Sequence, residues 1–174
     1  FTLGLTESWR HADQSYEYAV CPGTAAGEFD PNAHVFVNET YPNIAKSLET
    51  ALAAMHEINP GLRVLLTVSP VPLTATATDD HVLVATTYSK SVLRAVAGDV
   101  AARSGLVDYF PSYEIITAPA YGGRFFAENK RSVLPEGVAH VMTQFFKGQE
   151  AKFGDAVFAP DAETEKGANN RKAG

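Results

Sequence analysis

Several things are scarce in this chain, and each scarcity removes a class of function. One residue in 174 is cysteine, Cys21, so no intrachain disulfide can form and a reducing compartment, the cytoplasm, is expected. No run of Lys or Arg occurs, and 14 basic residues stand against 20 acidic ones. The resulting net charge of −6 argues against a nucleic-acid backbone as partner. No apolar stretch approaches the length that spans a bilayer, and no charged-then-apolar leader opens the chain. The five histidines are scattered without ligand spacing, and there is no glycine-rich phosphate loop. Neither a metal nor a cofactor is expected. Internal repeats are absent, and nothing in the sequence sets an oligomeric state.

What is present is ordinary for a globular domain: 45% hydrophobic and 20% charged residues, in a chain long enough for one real core. The organising stretch is Arg63–Ser69, RVLLTVS, closed by Pro70-Val71-Pro72. A short apolar, β-branched run of this kind predicts a strand of a parallel sheet covered on both faces. Before it, Ile44, Leu48, Leu52 and Met55 recur at helical spacing after Pro42, and Asn59-Pro60-Gly61 ends that helix. After it, a helix from Val82 to Arg103 is expected, capped by Asp79 or Asp80, with Val92, Val96 and Val100 inward. Leu106–Phe110 predicts a further strand, and Pro135 opens a last helix with Val138, Val141, Met142, Phe145 and Phe146 as its apolar stripe. Phe1–Leu5 predicts a first strand. The long connection from Ala12 to Glu39 has no helical period, and Tyr16–Val20 with His34–Val37 predicts a small hairpin. The segment 115–132 is expected to be irregular, with Arg124-Phe125-Phe126 a packed patch.

The order strand, helix, strand, helix, strand, helix implies an α/β fold with a parallel sheet. The domain is expected to cover 1–154. Residues 155–174, which end in the small and polar run Asp161–Gly174, are expected to be a disordered tail. The chain starts on Phe-Thr-Leu-Gly-Leu, without Met, which is expected of the latter part of a longer domain whose N-terminal strands are missing.

In open α/β sheets ligands sit beyond the carboxyl ends of the strands. Three polar clusters fall there: Thr6-Glu7-Trp9-Arg10, Ser69 with its Pro-rich loop, and Ser112-Tyr113-Glu114. Asp79-Asp80-His81 opens the long helix. Bland alternatives exist for each: Ser69 as a turn residue, Glu7 paired with Arg10, His81 as a cap, Glu114 as a helix-dipole partner. Ser89 and Lys90 are adjacent on a helix and so do not face each other, which disfavours a Ser–Lys dyad. Asn38-Glu39-Thr40 is a formal glycosylation sequon without other signs of secretion. Cys21 is either a reactive thiol near the first cluster or a buried structural residue.

The blocks TLGLTESW, CPGT, LLTVSPVPLTATATDDHVLVATTYSKSVLR, DYFPSYEII and LPEGVAHVM together resemble the GSCFA-domain family, up to about Phe146. That family is similar to the SGNH hydrolases, which implies a three-layer α/β/α, flavodoxin-like fold and chemistry on acyl esters of carbohydrates or lipids. The resemblance also implies a Ser nucleophile, Gly and Asn oxyanion donors, and a late Asp-x-x-His pair. The Gly-Ser-Cys-Phe-Ala motif is absent from these residues and is expected upstream of Phe1. Gly4-Leu5-Thr6-Glu7 stands in the place of the Gly-x-Asn-Asp element, with Thr6 at the oxyanion donor. Pro135 fits the late motif, but Leu134 stands where His is expected, leaving His81 and His140 as substitute bases, with His81 preferred.

Thr6, Glu7 and His81 are thus the expected catalytic residues. The expected substrate is a small-molecule or glycan ester, and the expected function is part of a serine hydrolase or acyltransferase, inactive as this chain alone. The alternative is a non-catalytic module that keeps the cleft to hold a glycan or a protein.

Overall fold

The structure, a computed structural model, describes residues 1–24 and 27–154; the expected tail at 155–174 lies outside them. The chain divides between Leu134 and Pro135 into two compact units. The first begins with β1 (Thr2–Leu3), β2 (Glu7–His11), β3 (Glu17–Tyr18) and β4 (His34–Asn38). It continues through α1 (Tyr41–Ile58), β5 (Val64–Val68), α2 (Val82–Arg103), β6 (Val107–Tyr109) and α3 (Ser112–Thr117). The second holds α4 (Pro135–Phe153), which starts on the predicted proline.

β1, β5 and β6 form a parallel sheet with β5 in the middle, Thr2 opposite Thr67 and Val64 opposite Val107. The first unit is α/β, with this three-stranded parallel sheet and helices α1 to α3, consistent with a three-layer α/β/α architecture. RVLLTVS is therefore the central strand, as its composition predicts. Its two faces are unequal, however, and the expectation of full cover on both is corrected. Val64, Leu66 and Val68 are buried in one cluster with Ala45 and Leu52 of α1 and Leu93, Val96, Ala97 and Val100 of α2. The alternate residues face the other way, as the two-residue period of a strand requires. There Leu65 is 37% exposed, and Thr67 shares a hydroxyl hydrogen bond with Ser112 at the start of α3.

α2 begins and ends where the sequence predicts, but its cap differs. His81 Nδ1, not Asp79 or Asp80, accepts from the Leu83 amide at 3.2 Å. The inward stripe runs through Ala85, Ser89, Lys90, Leu93, Val96, Ala97 and Val100, whereas Val92 is half-buried. The segment expected to be irregular holds the second half of α3 and a 3₁₀ turn, Pro119–Tyr121, and Phe125 within it is fully buried.

The larger correction concerns residues 6–38. The polar run after β1 is itself a strand, β2, at the centre of a second, antiparallel sheet in the order β3-β2-β4. β3 and β4 each pair with β2, so the expected hairpin between them does not form. Trp9 lies opposite both Tyr18 and Phe36, and its ring packs on Phe36 and Phe29 with centroids 5.4 and 5.6 Å apart.

Truncating the centre of β5 tests this division of the sheet. Leu66→Ala, at a fully buried position, is expected to lower the urea-unfolding free energy by about 2–5 kcal/mol. Leu65→Ala on the open face is expected to cost less than about 1 kcal/mol.

Candidate functional site

The carboxyl end of β1 leads into the turn Gly4-Leu5-Thr6, and two neighbouring residues of α2 hold that turn. Ser89 Oγ accepts from the Thr6 amide at 2.8 Å, and Lys90 Nζ donates to the Gly4 carbonyl at 2.7 Å. All three side chains involved are buried: Thr6 is 2% exposed, Ser89 0% and Lys90 1%. Ser89 and Lys90 do not pair with each other; each takes a different backbone group of the same turn. Thr6 is further fixed from β4, since its hydroxyl donates to Asn38 Oδ1 at 2.7 Å and its carbonyl accepts from the Glu39 amide at 2.8 Å.

From this anchored turn the next residue, Glu7, meets the loop that leaves β5. Thr76 Oγ1 donates to Glu7 Oε1 at 2.6 Å, and the Ala77 amide approaches Oε2 at 3.5 Å. The loop is held at other points too. The Val71 amide donates to Ser69 Oγ at 3.2 Å, and the Leu73 amide to Thr86 Oγ1 of α2 at 3.2 Å. The two segments close around a cleft of about 640 Å³, which falls in the range of small-molecule sites. Leu5, Glu7, Trp9, Leu73, Thr76 and Arg131 are among the residues lining it, and the cleft lies beyond the carboxyl ends of β1 and β5.

The expected site residues are thus partly assembled. Glu7 lines the cleft, with its carboxylate held by Thr76. Thr6 lies beside it in sequence but is buried, its hydroxyl proton directed at Asn38. His81 is exposed, does not line the cleft, and uses Nδ1 as the cap of α2. A chain of hydrogen bonds still joins its segment to Glu7: Thr76 Oγ1 contacts Thr78 Oγ1 at 2.8 Å, and Thr78 Oγ1 accepts from the Asp80 amide at 3.3 Å.

Ser112 and Glu114 belong elsewhere. Ser112 Oγ donates to the Val68 carbonyl at 3.2 Å. Glu114 pairs with Arg94 and accepts from Tyr109 OH at 2.8 Å. Burial, and then that carboxylate, push the Tyr109 phenol well above its usual range. Arg10 does not pair with Glu7; its guanidinium bridges Glu17 and Glu39. Cys21 is exposed and lines the cleft. His140 lies on α4, in the second unit. Among the described residues no group of three or more His, Cys, Asp or Glu is placed to hold a metal ion, and no helix is long and apolar enough to cross a membrane.

A family model described as the GSCFA family matches residues 1–145. The chain belongs to the GSCFA family. No curated protein and no solved structure matches it. The match covers both walls of this GSCFA cleft, including Arg131, and the helix that anchors its turn. Two of its site residues, Lys90 and Arg131, escape a reading of clusters at strand ends. For Lys90 the signal was a cation three residues before Leu93 and seven before Ala97, on the apolar stripe of α2. Arg131 has no local signal, because only the fold brings it to the cleft.

Burial first, and then the nearby charge of Arg131, lower the Lys90 ammonium to about 8 from an ordinary value of 10.5. Between those two values the unfolded chain binds more protons than the folded one, so stability rises with pH across that window. The contribution corresponds to roughly 3 kcal/mol at about 1.4 kcal/mol per unit. Denaturant titrations of the wild type and Lys90→Met at pH 7 to 10.5 read it. The wild type is expected to gain about that much relative to the variant as pH rises, and parallel pH profiles would contradict a buried cationic Lys90.

Proposed function

We propose that this chain supplies the substrate cleft, and part of the catalytic surround, of an SGNH-like serine hydrolase or acyltransferase acting on an ester of a carbohydrate or a similar small molecule. The observation that carries the reading is the placement of the Gly4–Glu7 turn and the 69–77 loop around one cleft beyond the carboxyl ends of β1 and β5. In that fold class this is where ligands are held, and the GSCFA resemblance supplies the acyl-ester chemistry as analogy.

The serines of these elements do not offer an activated nucleophile. Ser69 Oγ accepts from a backbone amide, Ser89 Oγ accepts from Thr6, and Ser112 Oγ is bonded to Thr67 and Val68. Ser8 Oγ is buried without a partner among the described residues. A nucleophilic serine needs a base within hydrogen-bond reach, which none of these four has, and we assign the attacking serine to the Gly-Ser-Cys-Phe-Ala motif that the GSCFA resemblance implies. The backbone amides of the anchored loops are the donors available for an oxyanion. Glu7 fixes the loop of residues 69–77, while Thr6 acts through its position in the turn.

A second reading, a non-catalytic module that binds a glycan or protein in the same cleft, is favoured by two details: the Thr6 hydroxyl is committed to Asn38, and His81 Nδ1 to its helix cap.

Two measurements test the proposal. The 174-residue chain is expected to leave p-nitrophenyl acetate unhydrolysed above background; hydrolysis abolished by changing one of its own serines would overturn the assignment of the nucleophile. The protein that carries this chain together with a Gly-Ser-Cys-Phe-Ala motif is expected to be labelled by a fluorophosphonate probe. Absence of labelling in the folded protein decides for the binding module.

A further inference from the structure

One end of the cleft carries positive charge that the described residues do not neutralise. Arg131 lines the cleft and is exposed, and among the described residues its guanidinium has no carboxylate or hydrogen-bond acceptor. Arg10, Arg94 and Arg103, by contrast, each hold a carboxylate. Lys90 stands behind the Gly4-Leu5 segment, and Leu5 lines the cleft. Its ammonium is buried, takes only the Gly4 carbonyl among the described residues, and feels the charge of Arg131.

Two cations without an intervening acid repel one another, and burial weakens the screening that water gives. Among the described residues the one carboxylate in the cleft wall, Glu7, is engaged by Thr76. In a chain of net charge −6 this is a local reversal of sign. An oxoanion placed there relieves the repulsion and meets a guanidinium whose planar fork suits carboxylate and phosphate geometry.

We infer that Arg131, with Lys90 behind the Gly4-Leu5 wall, is an anion-recognition pole of the cleft, and that the ester taken there carries a carboxylate or phosphate group. The inference rests on the cleft being the substrate site. It makes Arg131 a specificity-determining residue and Lys90 a second charge that favours the same ligand.

The test uses three probes of one ring structure that differ in charge: glucose, glucuronate and glucose 6-phosphate. Each is titrated into the isotope-labelled 174-residue chain at pH 7, and amide shifts of Thr74–Ala77 are followed. At least one anion is expected to bind ten times or more tighter than glucose, and its carboxylate or phosphate identifies the preferred group. Arg131→Gln is expected to reduce anion binding to the glucose level, and Arg131→Lys to retain part of it. Arg63→Gln, outside the cleft, is expected to leave the preference intact. A bound anion is also expected to raise the Lys90 pKa, read from its side-chain resonances.

Equal binding of all three probes, no binding of any, or an anion preference that survives Arg131→Gln would overturn the inference. Fluorophosphonate labelling separates its fate from that of the hydrolase reading. Labelling without anion preference sinks the anion pole alone. Anion preference without labelling sinks the hydrolase reading and leaves the pole in a binding module.

Discussion

The turn between the two sheets depends on being satisfied from α2. Buried backbone groups must find partners; Gly4 and Leu5 are exposed, but the amide of buried Thr6 and the Gly4 carbonyl that faces α2 find theirs outside both sheets. Ser89 and Lys90 supply them, one accepting and one donating. A buried lysine without an acid is a costly choice of donor. Its length is what suits it: the side chain spans from the helix to the Gly4 carbonyl while leaving the helix backbone intact. Adjacent helix residues diverge by about 100°, so they cannot share one atom, but they can grip two backbone groups two residues apart. The structure turns a pair that is unsuitable as a catalytic dyad into a clamp.

The clamp decides where the chain goes next. With Thr6 fixed on three sides, β2 is launched into the antiparallel sheet and Glu7 is delivered against Thr76. The loop leaving the central strand is thereby fastened to both α2 and β2, and the cleft exists between these fastenings. The walls formed by residues 5–9 and 73–77 follow parallel strands, so the position of the site follows from the topology, while residues 18–21, Thr24 and Arg131 complete the lining.

Much of this is written locally in the sequence. The central strand is visible in the β-branched run RVLLTVS and its proline exit, and α2 in the Ser-Gly that follows Arg103 and the polar residues that precede Val82. The unequal faces of the strand are not visible, because Leu65 and Leu66 are the same residue type and only the position of α1 and α2 separates them. β2 is hidden because Glu-Ser-Trp-Arg-His has no apolar alternation, and its pairing with β4 is non-local. The helix cap shows the same limit. Asp79, Asp80 and His81 are all able to accept a hydrogen bond, and the fold selects His81. Glu7 was legible in the cleft through its place after a strand end, whereas Arg131 was not, since nothing in its own neighbourhood distinguishes it from a surface arginine.

The central claim is that α2 holds the turn through Ser89 and Lys90, and amide hydrogen exchange at Thr6 tests it most directly. In the wild type the Thr6 amide is expected to exchange as slowly as the amides of β5. In Ser89→Ala it is expected to exchange at least tenfold faster, while Leu66 and Val68 stay protected. Fast exchange at Thr6 in the wild type, or no change in the variant, would contradict the account.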